Sequence, residues 1–501
     1  MKKLVLLLAV ILTAGGIVWA QFPPPDRTSG SYIPSGSPFN PLFPGFDAVG
    51  ISSVENKAAP GFNTMVEDFI DPAFFDPNIG TFLLLGGGDG SLQDGTIILG
   101  AAKTLGSFYA AGFYKGSIFG SASTGGEGEK VVNTDDNDRE LKRSSITWNN
   151  NLALLFGIAD MGFRLDIIHP NGADTKETYD GNYTFKISNT SGPRFAFSWG
   201  AHFGDLYPWA KVGVAFPSIL TVGGTNLSSL GSSNEDKKAT LSRSGVFNLE
   251  AAGLYDFSGG NFTDTVMGSL AFGLKFKDSY KGDKEVINRL ESYNDILTTA
   301  GITPEGKEFD YGGAWGLDLY LHYRKAFELG KFTMKITPNL RMTLASMSED
   351  ISIDDKKNPK PTWFTLEPNV TLGIKYQAFE KLAFFTGIDY RILRWRTYAT
   401  PGGEEKLKND DTRWDIDGTK WNRGTAVFDL GMTWTPVKGL VVSTYLTPIV
   451  NAFVKFDVQN MMVTPGTLFE DSKAQNIGDW AINTLGKLFG TGFNLTVTYT
   501  F

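Results

Sequence analysis

The last residues, Thr491 to Phe501, constrain the chain most. Phe493, Leu495, Val497, Tyr499 and Phe501 occupy alternate positions, and Asn494, Thr496, Thr498 and Thr500 fill the positions between. A strand turns successive side chains to opposite faces, so this stretch presents one apolar and one polar face. Longer runs behave the same way. Phe332, Met334, Ile336, Pro338, Leu340, Met342 and Leu344 alternate with Thr333, Lys335, Thr337, Asn339, Arg341 and Thr343. Phe364, Leu366, Pro368, Val370, Leu372, Ile374 and Tyr376 alternate with Thr365, Glu367, Asn369, Thr371, Gly373 and Lys375. At about 100° per residue a helix would scatter such an apolar set around its axis, so these runs are strands. Pro338 and Pro368 each remove a ladder donor, so bulges or kinks are expected beside them.

Two-faced strands need either a second apolar layer or lipid. The N-terminus favours a secreted protein. Lys2 and Lys3 precede the apolar run Leu4 to Leu12, and Val18-Trp19-Ala20 suits cleavage before Gln21, so residues 1–20 read as a signal peptide. After Ala20 no segment approaches the ~20 apolar residues of a spanning helix. Cysteine is absent, so no disulfide staples the fold. Aromatics make up 13% of the chain and glycine 58 of 501 residues, well above the usual ~7% for glycine. A net charge of −8 argues against a nucleic-acid partner.

Gln21 to about Gly80 is different in kind. Pro23-Pro24-Pro25, Pro34, Pro38, Pro41 and Pro44 exclude long ladders and helices. Phe39, Leu42, Phe43, Phe46, Phe69, Phe74 and Phe75 would be a liability in a solvated linker, so this segment is expected to plug a lumen rather than extend into the periplasm.

From Thr81 to Phe501 amphipathic runs come in pairs. Thr96–Leu105 and Ser107–Phe119 meet at Gly106, Ile146–Ile158 and Met161–Ile168 at Ala159-Asp160, and Val246–Phe257 and Thr263–Phe276 across Ser258-Gly259-Gly260. Ala314–Phe327 and Phe332–Ala345 flank Gly330, Trp363–Gln377 and Leu382–Trp395 flank Glu380-Lys381, and Thr425–Thr435 and Leu440–Phe453 meet at Lys438-Gly439. These are hairpins with turn-forming tips. Long polar connectors separate the pairs. Short turns on one rim and long loops on the other are the asymmetry of an all-β, transmembrane, antiparallel up-and-down barrel. Between Asn182 and Gly224 the count is ambiguous, depending on whether Phe216-Pro217 is a turn. About sixteen strands fit, within a range of fourteen to eighteen. Two loops, around Val286 to Leu297 and Ile477 to Leu488, carry helical spacing.

The final strand resembles the signal that bacterial barrel-assembly machinery reads. Phe493, Leu495, Val497, Tyr499 and Phe501 would carry it. This similarity implies the cell outer membrane, with its lipid and the assembly machinery as partners. Asp71-Pro72-Ala73 resembles the Asn-Pro-Ala hatch motif of the long-chain fatty-acid transporter family, with a different first residue. That resemblance implies an N-terminal hatch before the barrel and hydrophobic cargo.

Charged residues at alternate, inward positions are the candidate lumen lining: Asp318, Arg324, Lys335, Arg341, Glu367, Lys375, Asp389, Arg391 and Asp429. Such a field orients dipolar solutes in a water-filled pore, or braces the wall by pairing across it. The three histidines, His169, His202 and His322, lie on separate strands without metal-ligand spacing. His322 shares a face with Asp318, but the pattern points to no catalytic site, no metal and no cofactor. Three readings follow: a channel for small solutes, monomeric or homo-oligomeric; a plugged transporter of hydrophobic compounds; and a structural or adhesive surface protein.

Overall fold

A computed structural model describes most of residues 81–501, together with Phe46, Ala48, Pro72 and Ala73 ahead of them. The signal-peptide residues 1–20, Phe493, Phe501 and both segments with helical spacing lie outside the described residues. Sixteen strands form one closed antiparallel wall. In chain order they are β1 (Phe82–Gly87), β2 (Thr96–Leu105), β3 (Phe108–Ser117), β4 (Asn150–Ile158), β5 (Met161–Ile168), β6 (Arg194–Ala201), β7 (Leu206–Ala215) and β8 (Val246–Asp256). They continue as β9 (Asp264–Lys275), β10 (Ala314–Leu329), β11 (Phe332–Met347), β12 (Thr362–Phe379), β13 (Leu382–Arg391), β14 (Ala426–Trp434), β15 (Leu440–Tyr445) and β16 (Leu495–Thr500). Each strand pairs with its sequence neighbour in the wall. β16 then pairs with β1, from Phe82 opposite Thr500 to Gly86 opposite Thr496, and no edge is left in the ring.

Tight turns join alternate strands on one rim. The turn hidden in the ambiguous stretch is His202 to Asp205, where Phe203 and Leu206 form a bridge and Gly204 adopts φ 62°. A left-handed φ of this kind is where glycine carries no steric penalty. Phe216-Pro217 is therefore not a turn. It marks the point where β7 gives way to an outer strand, Ser218–Thr225.

The connectors on the other rim are more ordered than polar loops. A separate nine-stranded sheet runs above β3 to β10, built from the segments between the wall strands. From β5 to β10 the interruption between wall and outer sheet leaves the pairing in step. Ile168 faces Arg194 below the break, and Gly172 faces Thr190 above it. Val246 faces Lys275 below, and Ser242 faces Ser279 above. The result is a crease at one level across six strands. Gly192, Gly245, Pro193 and Pro217 lie along it, and backbone bonds bridge it: Phe216 N–H donates to Pro193 O at 2.9 Å and Phe276 N–H to Gly245 O at 3.2 Å.

Proline acts on the ladder as its missing donor requires, though without a bulge at Pro338. The β10–β11 pairing keeps its register there but skips the rungs of Tyr323 and Arg324. At Pro368, Asn369 faces Arg391 while Leu366 faces Trp395 in the strand Leu393–Ala399. Three steps on one side match four on the other, which is a one-residue bulge.

The outward face is apolar. Leu99, Phe156, Phe197, Leu249, Leu270, Leu321, Phe332 and Tyr499 are among its exposed side chains. In water such a belt would be a large unpaired apolar surface. On a closed barrel it meets hydrocarbon.

Candidate functional site: the lumen wall

The inward face is divided. On β9 to β12 it is polar. Arg341, 5% exposed, grips Asp318 from the neighbouring strand, with Nε donating to Oδ1 at 2.8 Å and Nη2 to Oδ2 at 2.6 Å. Thr343 Oγ1 donates to the same Oδ1 at 2.8 Å. The period-two pattern puts these groups together, because Tyr320 faces Arg341 in register and Asp318 faces Thr343. Arg341 also faces Glu367 of β12, which is buried. One level nearer the short-turn rim, Asn369 Nδ2 donates to Asn339 Oδ1 at 3.1 Å. His322 is buried edge-on against Tyr320, with ring centroids 5.6 Å apart. The carboxylate of Asp318 is held by Arg341 and Thr343.

The remaining candidates spread along the same face. Arg324 faces Thr265, Lys335 faces Gly373, and the Lys375 ammonium stands 5.9 Å from the Phe385 ring centroid. Asp389 faces Thr371, Arg391 faces Asn369 and Asp429 faces Gly387, all at inward register positions. In the closing strand, Thr498 is buried inward, Tyr499 is exposed outward and Leu495 lies in the strand.

On β1 to β4 the expectation of a polar lumen fails. Leu84, Ile98, Ala102, Tyr109, Ala111, Phe113, Ala153 and Leu155 form a buried apolar cluster, and Ala48 belongs to it. The physical reason visible among the described residues is that Ala48, ahead of the barrel, packs into this cluster. Phe46 packs with Ala196, Ala215 and Val246 of β6 to β8. A Cβ on Gly213 would lie 2.7 Å from the Phe46 ring, and one on Gly200 would lie 2.3 Å from the Ala73 nitrogen. Small residues on the wall thus make room for the segment. Asp166 adds a polar anchor: its Oδ1 accepts the Ala48 N–H at 2.9 Å and Arg164 Nη2 at 2.6 Å. The pairing of Arg164 with Asp166 escaped the reading of the sequence, although Phe163, Leu165 and Ile167 alternate around it. The same holds for the inward Lys115, Arg194, Lys211, Glu250 and Lys275.

No protein-family pattern matches the chain, and no curated protein matches it in sequence. Among solved structures it is similar to a FadL homologue of Pseudomonas aeruginosa, at 15% identity over 90% of this chain and 98% of that one, with a TM-score of 0.38. It is also similar to the ferric yersiniabactin uptake receptor FyuA from Yersinia pestis, at 8% identity over 84% and 80% of the two chains, with a TM-score of 0.29. Overlaps this loose say nothing about cargo. Class and location follow instead from the closed ring and its faces, since only a wall without edges satisfies its backbone in hydrocarbon. On that ground the chain is a β-barrel protein of the bacterial outer membrane.

Proposed function

We propose that the barrel passes small solutes by diffusion along the polar inward face of β9 to β13, narrowed by a plug formed from residues 21–80. One observation carries this reading. Phe46, Ala48 and Ala73 all rest on the inward face of β1 to β8, away from the Asp318–Arg341 pair of β10 and β11. A plug seated there leaves the polar face of β9 to β13 to water and solute. No enzymatic role is assigned to the lumen.

Current through purified protein in a planar bilayer tests the proposal. Open-channel current that falls on charge reversal at Lys335 and Arg341 supports it, and no current under any condition refutes it. Removing residues 21–78 is expected to raise conductance. Unchanged conductance would make that segment a periplasmic extension.

A plugged transporter of hydrophobic compounds is the second reading, favoured by the apolar inward face of β1 to β4. Those side chains are already covered, with Tyr109 at 0% and Phe113 and Leu155 at 1% exposure, so the greasy surface is occupied by protein. Detergent or fatty acid bound between residues 21–80 and the wall would restore this reading.

A further inference from the structure

Charged groups on the inward face of β9 to β12 answer one another, while several dipolar groups beside them do not. Asp318 is held by Arg341 and Thr343, and Arg324 and Glu367 carry interactions of their own. Four polar atoms of the same face are buried without a hydrogen-bond partner. They are Thr265 Oγ1 on β9, His322 Nε2 on β10, Thr337 Oγ1 on β11 and Asn369 Oδ1 on β12. Thr265, Thr337 and His322 are 0%, 5% and 8% exposed. Each atom has given up water and gained no partner in return, which a folded wall rarely keeps without a use for it.

Register puts the four together. His322 faces Asn339, and Asn339 faces Asn369, in one cross-strand row. In the next row toward the short-turn rim, Thr265 faces Arg324 and Thr337 faces Thr371. Thr337 is therefore diagonal to both His322 and Asn369, at roughly 7–8 Å for such neighbours. Thr265 is diagonal to His322, because Met267 faces His322. From β10 to β12 the patch spans roughly 10 Å at the usual strand spacing, the reach of one sugar ring with its hydroxyls. Two hydroxyls, an imidazole nitrogen and an amide oxygen can between them donate and accept. A charged guest would trade its hydration for dipoles alone, since Asp318 and Arg341 already neutralise each other. A guest rich in hydroxyls gives each atom a partner and receives one.

We infer that this patch is a binding step for neutral, polyhydroxylated solutes of monosaccharide size, with His322, Thr337 and Asn369 as its contacts and Thr265 at its edge. The four atoms are shut from solvent, so the solute reaches them by moving the side chains that cover them. The inference names a cargo for the diffusion reading above and rests on it, and the measurement separates the two. The full mature chain is placed in a planar bilayer in potassium chloride, and glucose is added in steps. Glucose should interrupt the current in a saturable way, beyond its effect on the conductivity of the solution. H322L/T337V should weaken this block about tenfold through the lost hydrogen bonds. H322Q/T337S, which keeps a polar group at both places, should restore it. Gluconate, with similar hydroxyls and a negative charge, should block far less. If H322L/T337V carries no current, T337V alone, which removes one hydroxyl at nearly constant volume, is read in its place. Steady current that glucose does not interrupt overturns the inference and leaves the diffusion channel standing. So does a block unchanged in the variant, which would leave the four atoms to ordered water, or one equally strong with gluconate. Absence of current in the natural protein overturns the diffusion reading, and this inference with it.

Discussion

Arg341 and Asp318 meet across neighbouring strands as a two-pronged ion pair, 2.8 Å and 2.6 Å between the bonded atoms, with side chains only 6% and 14% exposed. The planar guanidinium matches both carboxylate oxygens at once, which a lysine ammonium cannot do. Removing one partner leaves the other charge in a confined wall. Arg341→Ala is therefore expected to lower barrel stability by about 3 kcal/mol, whereas D318N/R341Q should recover a good part of that loss. Urea unfolding from lipid vesicles measures both, and equal losses in the single and double variants would show that the pair contributes little.

Gly213 and Gly200 are where Phe46 and Ala73 meet the wall. Gly213→Val should push the Phe46 ring away, and Gly200→Val should push the backbone at Ala73. Both are expected to raise conductance and to expose residues 21–80 to added protease. Gly253→Ala is the control, because nothing stands within 4 Å of its added Cβ. Unaltered conductance and cleavage in both valine variants would count against a seated plug.

Leu270 is half exposed on the outer face of β9 and faces Leu319. Leu270→Arg should cost about 2–4 kcal/mol of folding in a bilayer if the position sits near the midplane. Ser269→Arg, one residue away and inward, should cost far less. Equal penalties in vesicle-based unfolding would mean that the two faces do not differ in solvent.

Much of the fold was legible because a strand's period of two is a local property. The faces of β11 and β12 can be read residue by residue, and Arg341 and Asp318 appear on the same side before any pairing is known. The turn at Gly204 was harder to see, since Phe203-Gly204-Asp205 is brief and Phe216-Pro217 is the louder signal. Proline there interrupts a strand that resumes beyond the crease. The apolar inward face of β1 to β4 was not legible at all. Nothing in Ile98, Ala102 or Phe113 announces that Ala48 packs among them, because that contact spans a long stretch of chain.

The pairing of β16 with β1 has a consequence for biogenesis. β16 supplies the partners that the free edge of β1 otherwise lacks, over the five residues from Phe82 to Gly86. Until it docks, two raw margins of N–H and C=O groups face the surroundings, and hydrocarbon offers them nothing. A barrel without Leu495–Thr500 would therefore be a curled ribbon unfit for the bilayer, and commitment to the membrane falls to the strand that closes the ring.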